Sequence, residues 1–165
     1  CFRLYGTSGP FGLGRIGTAI AENMAGLGMQ VQYWSPNSED KRFQKVSLEK
    51  LMITSDVILP AVAKNKQTEG LISDEMILSM KPKTIFVSIV HEVYNHDLLL
   101  KLASENKIYG YGFESSKPEM LEHNGNIWAG PELAWCTQDS MRKNAAMWTE
   151  SIIKAAKGDF TNRVN

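Results

Sequence analysis

Short apolar runs alternate with longer amphipathic stretches along this chain. Residues 30–34, 56–60, 84–89, 108–113 and 126–129 are brief, apolar or β-branched, and bounded by turn residues, which is the pattern of strands. The runs at 56–60 and 84–89 are apolar on consecutive positions, predicting strands covered on both faces.

Between them the period becomes helical. Ile16, Ile20, Met24 and Leu27 share one face, and Gly28 follows as a stop. Ser47 can cap a helix over 48–52 and Ser73 one over 74–80, where Pro82 forbids continuation. Asn95 can cap 96–104. Met141, Ala145, Trp148 and Ile152 make one face of a last helix over 137–157, ended by Gly158. Strands alternating with helices predict an α/β fold, a doubly wound parallel sheet in three layers. The weak point is the segment before residue 12. Gly6-Thr-Ser-Gly-Pro-Phe11 should supply the central strand, yet it is poor in apolar residues and Pro10 cannot donate to a ladder.

Composition narrows the function classes. The 165 residues make a single domain long enough to bury a core, with no repeat or linker. Eighteen basic residues balance eighteen acidic ones, so no net field draws the chain to nucleic acid or an anionic membrane. The apolar runs are too short to span a bilayer, and no basic-then-apolar leader is present. With two cysteines, Cys1 and Cys136, a disulfide scaffold is not expected and a cytoplasmic location is. A first residue other than Met reads as part of a longer chain.

Gly12-Leu-Gly14-Arg15-Ile16-Gly17 opens the first helix. The first glycine of such a run permits a tight turn, the second lets backbone approach a pyrophosphate, and the third lets helix and strand pack closely. The helix N-terminus adds N–H donors and a partial positive charge for the phosphates. A Rossmann-type site for NAD or NADP is the expectation. The residue that meets the adenosine ribose falls at Ser35, where a carboxylate would select NAD. Lys41 and Arg42 could meet a 2′-phosphate, Glu39 and Asp40 oppose it, and a solvated mixed-charge loop is the plainer alternative. Both cofactors stay open.

The stretch from about residue 12 to 158 resembles the nucleotide-binding domain of the D-isomer-specific 2-hydroxyacid dehydrogenases. The resemblance is carried by the glycine run, Ser55-Asp-Val57, Thr68-Glu-Gly-Leu-Ile72, Met80-Lys-Pro82, Gly110-Tyr-Gly112 and the Pro131 turn. It implies hydride transfer between a nicotinamide and the C2 carbon of a 2-oxo or 2-hydroxy acid, or a related carbonyl. It also implies a homodimer and a second lobe, for which this chain has no room. Ser88, Ile89, Val90 and Glu114 would lie near the nicotinamide.

The catalytic positions depart from the family pattern. His91 stands where the family has a carboxylate-binding arginine, and Glu132 where it has the proton-moving histidine. The catalytic glutamate falls on Glu119, or on Lys117 if Pro118 is the anchor. A forked guanidinium–carboxylate pair contributes about 1.5–3 kcal/mol, and histidine cannot reproduce it. A simple 2-oxo acid should therefore bind poorly. Either His91 moves the proton with Glu132 beside it, on a substrate neutral or cationic next to the reacting carbon, or the domain binds dinucleotide without catalysis. The bland alternatives are a backbone-bonded loop histidine and a capping carboxylate. His96, next to Asp97, reads as solvated helix-end polarity, Cys136 as an inert packed thiol, and Trp148 as core or interface. His91, His96 and His123 lack metal-ligand spacing.

Overall fold

The computed structural model describes residues 6–116, 125–133 and 136–160. Contacts cluster in two compact units, residues 1–132 and 133–165. The first unit is a parallel sheet of seven strands in the order β3-β2-β1-β4-β5-β6-β7. The strands are β1 (Thr7–Phe11), β2 (Gln30–Tyr33), β3 (Gln44–Lys45), β4 (Val57–Pro60), β5 (Ile85–Ser88), β6 (Gly110–Ser115) and β7 (Ile127–Pro131). Among the described residues, four helices connect them: α1 (Arg15–Gly26), α2 (Leu48–Thr54), α3 (Asp74–Leu78) and α4 (His96–Ser104).

Two separate cores show that both faces of the sheet are covered. Leu51, Met52, Ile77 and Leu99 from α2, α3 and α4 bury against Phe11, Ile58 and Phe86 on one face. On the other, Ala21 of α1 packs with Leu13 and Tyr33. Right-handed crossovers require this division, because the chain reverses direction across the sheet between β1 and β4. The expected Rossmann-type α/β architecture is the one found.

Local chemistry explains the element ends. Ser47, Ser73 and Asn95 accept hydrogen bonds from Lys50, Met76 and Leu98 N–H and start α2, α3 and α4. After α1, Gly28 takes φ +92° while its N–H and that of Met29 bond back to Ala25 and Met24 carbonyls. The strand β3 was not foreseen, since two exposed polar edge residues give no apolar pattern. Strands β6 and β7 run past their apolar cores, because the pairs Glu114–Gly130 and Ser115–Pro131 need only backbone.

The polar segment 7–11 does form the central strand, with Ser8 to Phe11 fully paired to β4. Trp34 N–H donates to the Pro10 carbonyl, so the N–H that Pro10 lacks would have faced β2. The β1–β2 ladder breaks there and resumes at Phe11–Trp34. The small side chains have a reason too. A Cβ on Gly9 would come within 2.6 Å of Leu51, so α2 needs a bare backbone to reach the sheet.

The second unit contains α5 (Gln138–Ala156), started by Thr137, whose hydroxyl accepts from Ser140 N–H in a capping box. No residue of α5 is buried, and Trp148 is 67% exposed rather than packed. Cys136 is also exposed, which corrects the expectation of a packed thiol. Among the described residues, no helix is long and apolar enough to cross a membrane.

Asp56 ties the start of β1 to the turn before β5. Its carboxylate accepts from Thr7 N–H at 2.8 Å and pairs with Lys81 Nζ at 2.8 Å. Burial pushes this carboxyl up, but the Lys81 and Thr7 bonds and the Lys81 charge outweigh burial and hold it below its usual range. A depressed carboxyl stabilises the fold above the unfolded value and loses that contribution as pH falls through the folded one. Asp56→Asn should therefore be less stable than the parent at neutral pH. The gap should close as pH drops below about 4, read by urea unfolding across a pH series.

Candidate cofactor and active site

The turn from β1 into α1 builds the first part of the site. Gly12 has φ +79°, and a Cβ there would strike Val62 at 2.8 Å. A Cβ on Gly17 would lie 1.7 Å from the Gly12 carbonyl oxygen, a spacing no side chain allows. Gly14 differs, since its Cβ would meet nothing within 4 Å. Two glycines are thus required by packing, and the one between them leaves space open beside the helix.

That space adjoins an unusual helix end. No side chain caps α1 at Gly14, and its first turn contains no acidic residue, whereas α2 to α5 all have side-chain caps. The N-terminal N–H groups and the partial positive charge are left for an anion. Gly14, Arg15 and Ile16 form one wall of a cleft of about 450 Å³, with Ala61 to Lys64 after β4 and Ile89 and Val90 after β5 opposite. The cleft lies at the carboxyl ends of the strands, where the strand order reverses, which is where open α/β sheets bind ligands. Ile16 is 55% exposed, an apolar surface that a flat ring can cover.

Ser35 follows β2 and is 5% exposed, at the expected ribose end. The neighbouring charges are largely spent on one another. Arg42 Nη2 lies 2.6 Å from Asp40 and Nη1 2.7 Å from Glu22, and Lys45 pairs with Glu39 at 3.1 Å. Both carboxylates hold the guanidinium in its charged form. Arg42 would have to leave two partners to clamp a 2′-phosphate.

A second cavity of about 330 Å³ opens at the ends of β5, β6 and β7. The fold brings His91, Glu114 and Glu132 to it. His91 Nε2 is 3.9 Å from Glu132 Oε1, close enough for charge attraction and too long for a hydrogen bond. Both side chains are more than two-fifths exposed. The next residue, Glu92, has φ +65° in the left-handed region, and its carboxylate pairs with Lys64 of the first cleft at 2.5 Å. The Glu92 carbonyl also accepts from Gly70 N–H at 3.0 Å, which ties this turn to the loop after β4. Ser88 is buried, and its hydroxyl donates to the Val90 carbonyl at 2.9 Å instead of facing the cleft. Glu119 and Lys117 lie outside the described residues.

Three features were missed. Lys64 and the Ala61–Ala63 backbone line the first cleft; the signal was their place directly after β4, at the reversal of strand order. His96 is not a solvated helix end. Its ring packs edge-on against Phe113 at 4.7 Å and lines the second cavity.

Comparison with known proteins agrees with this geometry. Residues 5–136 match the family described as D-isomer specific 2-hydroxyacid dehydrogenase, NAD binding domain. The chain belongs to that family. It is 34% identical to the glyoxylate reductase of Thermococcus gammatolerans over 168 residues, covering 94% of this chain and 50% of that one. A solved acyclic imino acid reductase, Bsp5, in complex with NADPH and D-Arg, superposes with a TM-score of 0.88 at 24% identity over 99% of this chain and 55% of that one. The NAD-complexed D-isomer specific 2-hydroxyacid dehydrogenase of Lactobacillus delbrueckii ssp. bulgaricus gives 0.80 at 20% identity over 93% and 54%. The chain spans about half the length of the curated relatives it matches.

The glycines separate fold from binding. Gly14→Val should leave the urea midpoint nearly unchanged, because its side chain enters open space, and should weaken NADH binding at least tenfold. Gly17→Ala should destabilise the domain by about 3 kcal/mol or more through overpacking. Energy transfer from tryptophan to reduced nicotinamide, alongside urea unfolding, reads both effects.

Proposed function

We propose that this chain is the nucleotide-binding half of an NAD(P)-dependent oxidoreductase that passes hydride to or from a small carbonyl or alcohol. The observation that carries this is the open Gly14 position beside an uncapped helix N-terminus, at the mouth of the cleft. Gly12, Gly14, Arg15, Ile16 and Gly17 hold the pyrophosphate. Ser35 meets the adenosine ribose, and Ile89, Val90 and Glu114 flank the nicotinamide, with Ser88 buried behind them. The cofactor supplies the hydride, and the protein orients it and manages the proton.

At the reacting end, His91 moves the hydroxyl proton, with the Glu132 carboxylate 3.9 Å from its Nε2. With histidine in place of a forked guanidinium, and with Glu114 and Glu132 both on the cavity, a substrate carboxylate would meet repulsion. The preferred substrate is neutral or cationic next to the reacting carbon. The match to half of longer relatives supports a second lobe, in sequence beyond this chain, closing the cleft.

A second reading has its own support. The His91–Glu132 pair is open to solvent and not hydrogen-bonded, as a dinucleotide-binding module without catalysis would allow. Kinetics of the full-length protein separate the two. His91→Ala should lower kcat about 100-fold, the usual range for losing a general acid–base group, with the NADH Kd unchanged. Unchanged turnover would move the proton chemistry elsewhere. Absent turnover on neutral, cationic and 2-oxo-acid carbonyls, with NADH still bound, would establish the binding module.

A further inference from the structure

The first cleft carries a cation that the glycine turn does not account for. Of the residues lining it, only Arg15 and Lys64 are charged, one on each wall, and both are basic. The uncapped end of α1 beside Arg15 adds free N–H groups and a partial positive charge to the same wall. Lys64 faces them from the other side, but its ammonium is engaged: Nζ lies 2.5 Å from Glu92 Oε2.

Each partner is held by its own backbone rather than by the pair. Around Lys64, Asn65 N–H donates to Thr68 Oγ1 at 2.9 Å, the Thr68 hydroxyl donates to the Ala63 carbonyl at 2.7 Å, and Gln67 N–H donates to Asn65 Oδ1 at 2.8 Å. The turn therefore closes on itself. On the other side, the Glu92 carbonyl accepts from Gly70 N–H at 3.0 Å, and the carbonyl of the fully buried Val93 accepts from Ile72 N–H at 2.9 Å. The two paired side chains are each 57% exposed, and ion pairs that open to water contribute little to stability. Breaking this one moves two side chains and no backbone. Glu92 also sits at φ +65°, where glycine would be unstrained. The strain comes with a carboxylate within reach of the cleft's lysine, and glycine would have removed both.

We propose that Lys64 is a cofactor-binding residue shared between Glu92 and the dinucleotide: its ammonium leaves the carboxylate for a phosphate oxygen when the dinucleotide enters the cleft, and returns to Glu92 when it departs. This rests on the nucleotide site proposed above and adds to it a residue on the second wall. A pyrophosphate is charged on both phosphates, whereas Arg15 and the α1 terminus lie on one wall alone. Lysine suits the exchange, with a compact charge on a flexible four-carbon stem and three donors that need no fixed geometry. The phosphate is the stronger partner, because it lies between the walls in less water than a surface carboxylate does. Glu92 is a positioning residue that acts through Lys64. It eases release, since the departing dinucleotide leaves behind a cation whose counter-charge is already in place.

NADH and NADPH titrations of the full-length protein, read by energy transfer from tryptophan, test the exchange. Lys64→Gln should raise the Kd about tenfold, as loss of a charge-assisted hydrogen bond does, and should flatten its dependence on salt. Glu92→Gln should lower the Kd about three- to fivefold, the most that an exposed pair withholds, through slower dissociation in stopped-flow mixing. The double variant decides between exchange and simple repulsion. With Lys64→Gln already present, Glu92→Gln should change nothing further. A gain of the same size with and without Lys64 would show a carboxylate acting by repulsion alone and would overturn the exchange, as would an unchanged Kd in Lys64→Gln. Both side chains are exposed, so urea midpoints should match the parent in every variant. Wild-type protein that binds neither nucleotide would sink the proposed cofactor site itself. Nucleotide binding that none of the variants alters would sink the exchange and leave that site standing.

Discussion

Everything at the site depends on how closely α1 approaches the end of β1. The absent Cβ of Gly17 would sit 1.7 Å from the Gly12 carbonyl, so helix and turn are in direct backbone contact. That contact is possible only because Gly12 takes φ +79° and turns the chain sharply out of the sheet. It places the uncapped end of α1 over the gap where strand order reverses. An uncapped helix end is a liability when buried and an anion site when it faces a cleft. The same few residues therefore decide both the packing of α1 and the opening of the first cleft beside its uncapped end.

The central strand is adapted to that crowding. Ser8, Gly9 and Pro10 are poor strand formers, yet all three are buried, and the bare backbone at Gly9 lets Leu51 of α2 close on β1. Pro10 is tolerated because its defect faces β2, where the ladder is already sparse, while pairing with β4 is continuous. Burial is completed by large side chains on the flanking strands. Phe86, Tyr94, Tyr111 and Phe113 form one aromatic group, with Tyr111 and Phe113 stacked at 5.0 Å. Two phenols inside such a group require partners. Burial pushes both hydroxyls up, so they stay neutral and serve as fixed dipoles.

Charge is arranged in the same economical way. In the loop after β2, Arg42 is neutralised by Asp40 and by Glu22 of α1, leaving that end of the sheet without a dominant field. Lys64, on the wall of the first cleft, pairs with Glu92 in the left-handed turn after His91, and the Glu92 carbonyl accepts from Gly70 N–H. The second cavity is acceptor-rich, with Glu114 and Glu132 beside two histidines.

The alternation of apolar runs and capped helices was enough to determine the α/β class, five of the seven strands and the caps at Ser47, Ser73 and Asn95. These features are local, set by period, φ preference and side-chain-to-backbone bonds within a few residues. Spacing alone also pointed to Gly12, Gly14 and Gly17 as the tight turn onto α1, since that geometry is closed within one turn of helix. Other features depended on pairing between distant segments. The strand status of 7–11 came from β4, and the edge strand β3 from β2, neither of which is written in the strand's own side chains. The meeting of His91 with Glu132, 41 positions apart in the sequence, came from the adjacency of β5, β6 and β7. His96 illustrates the division most clearly. Its place at the start of a helix was legible, but the Tyr111 phenol 2.8 Å from its Nδ1 lies on β6, and only the folded sheet brings the two together.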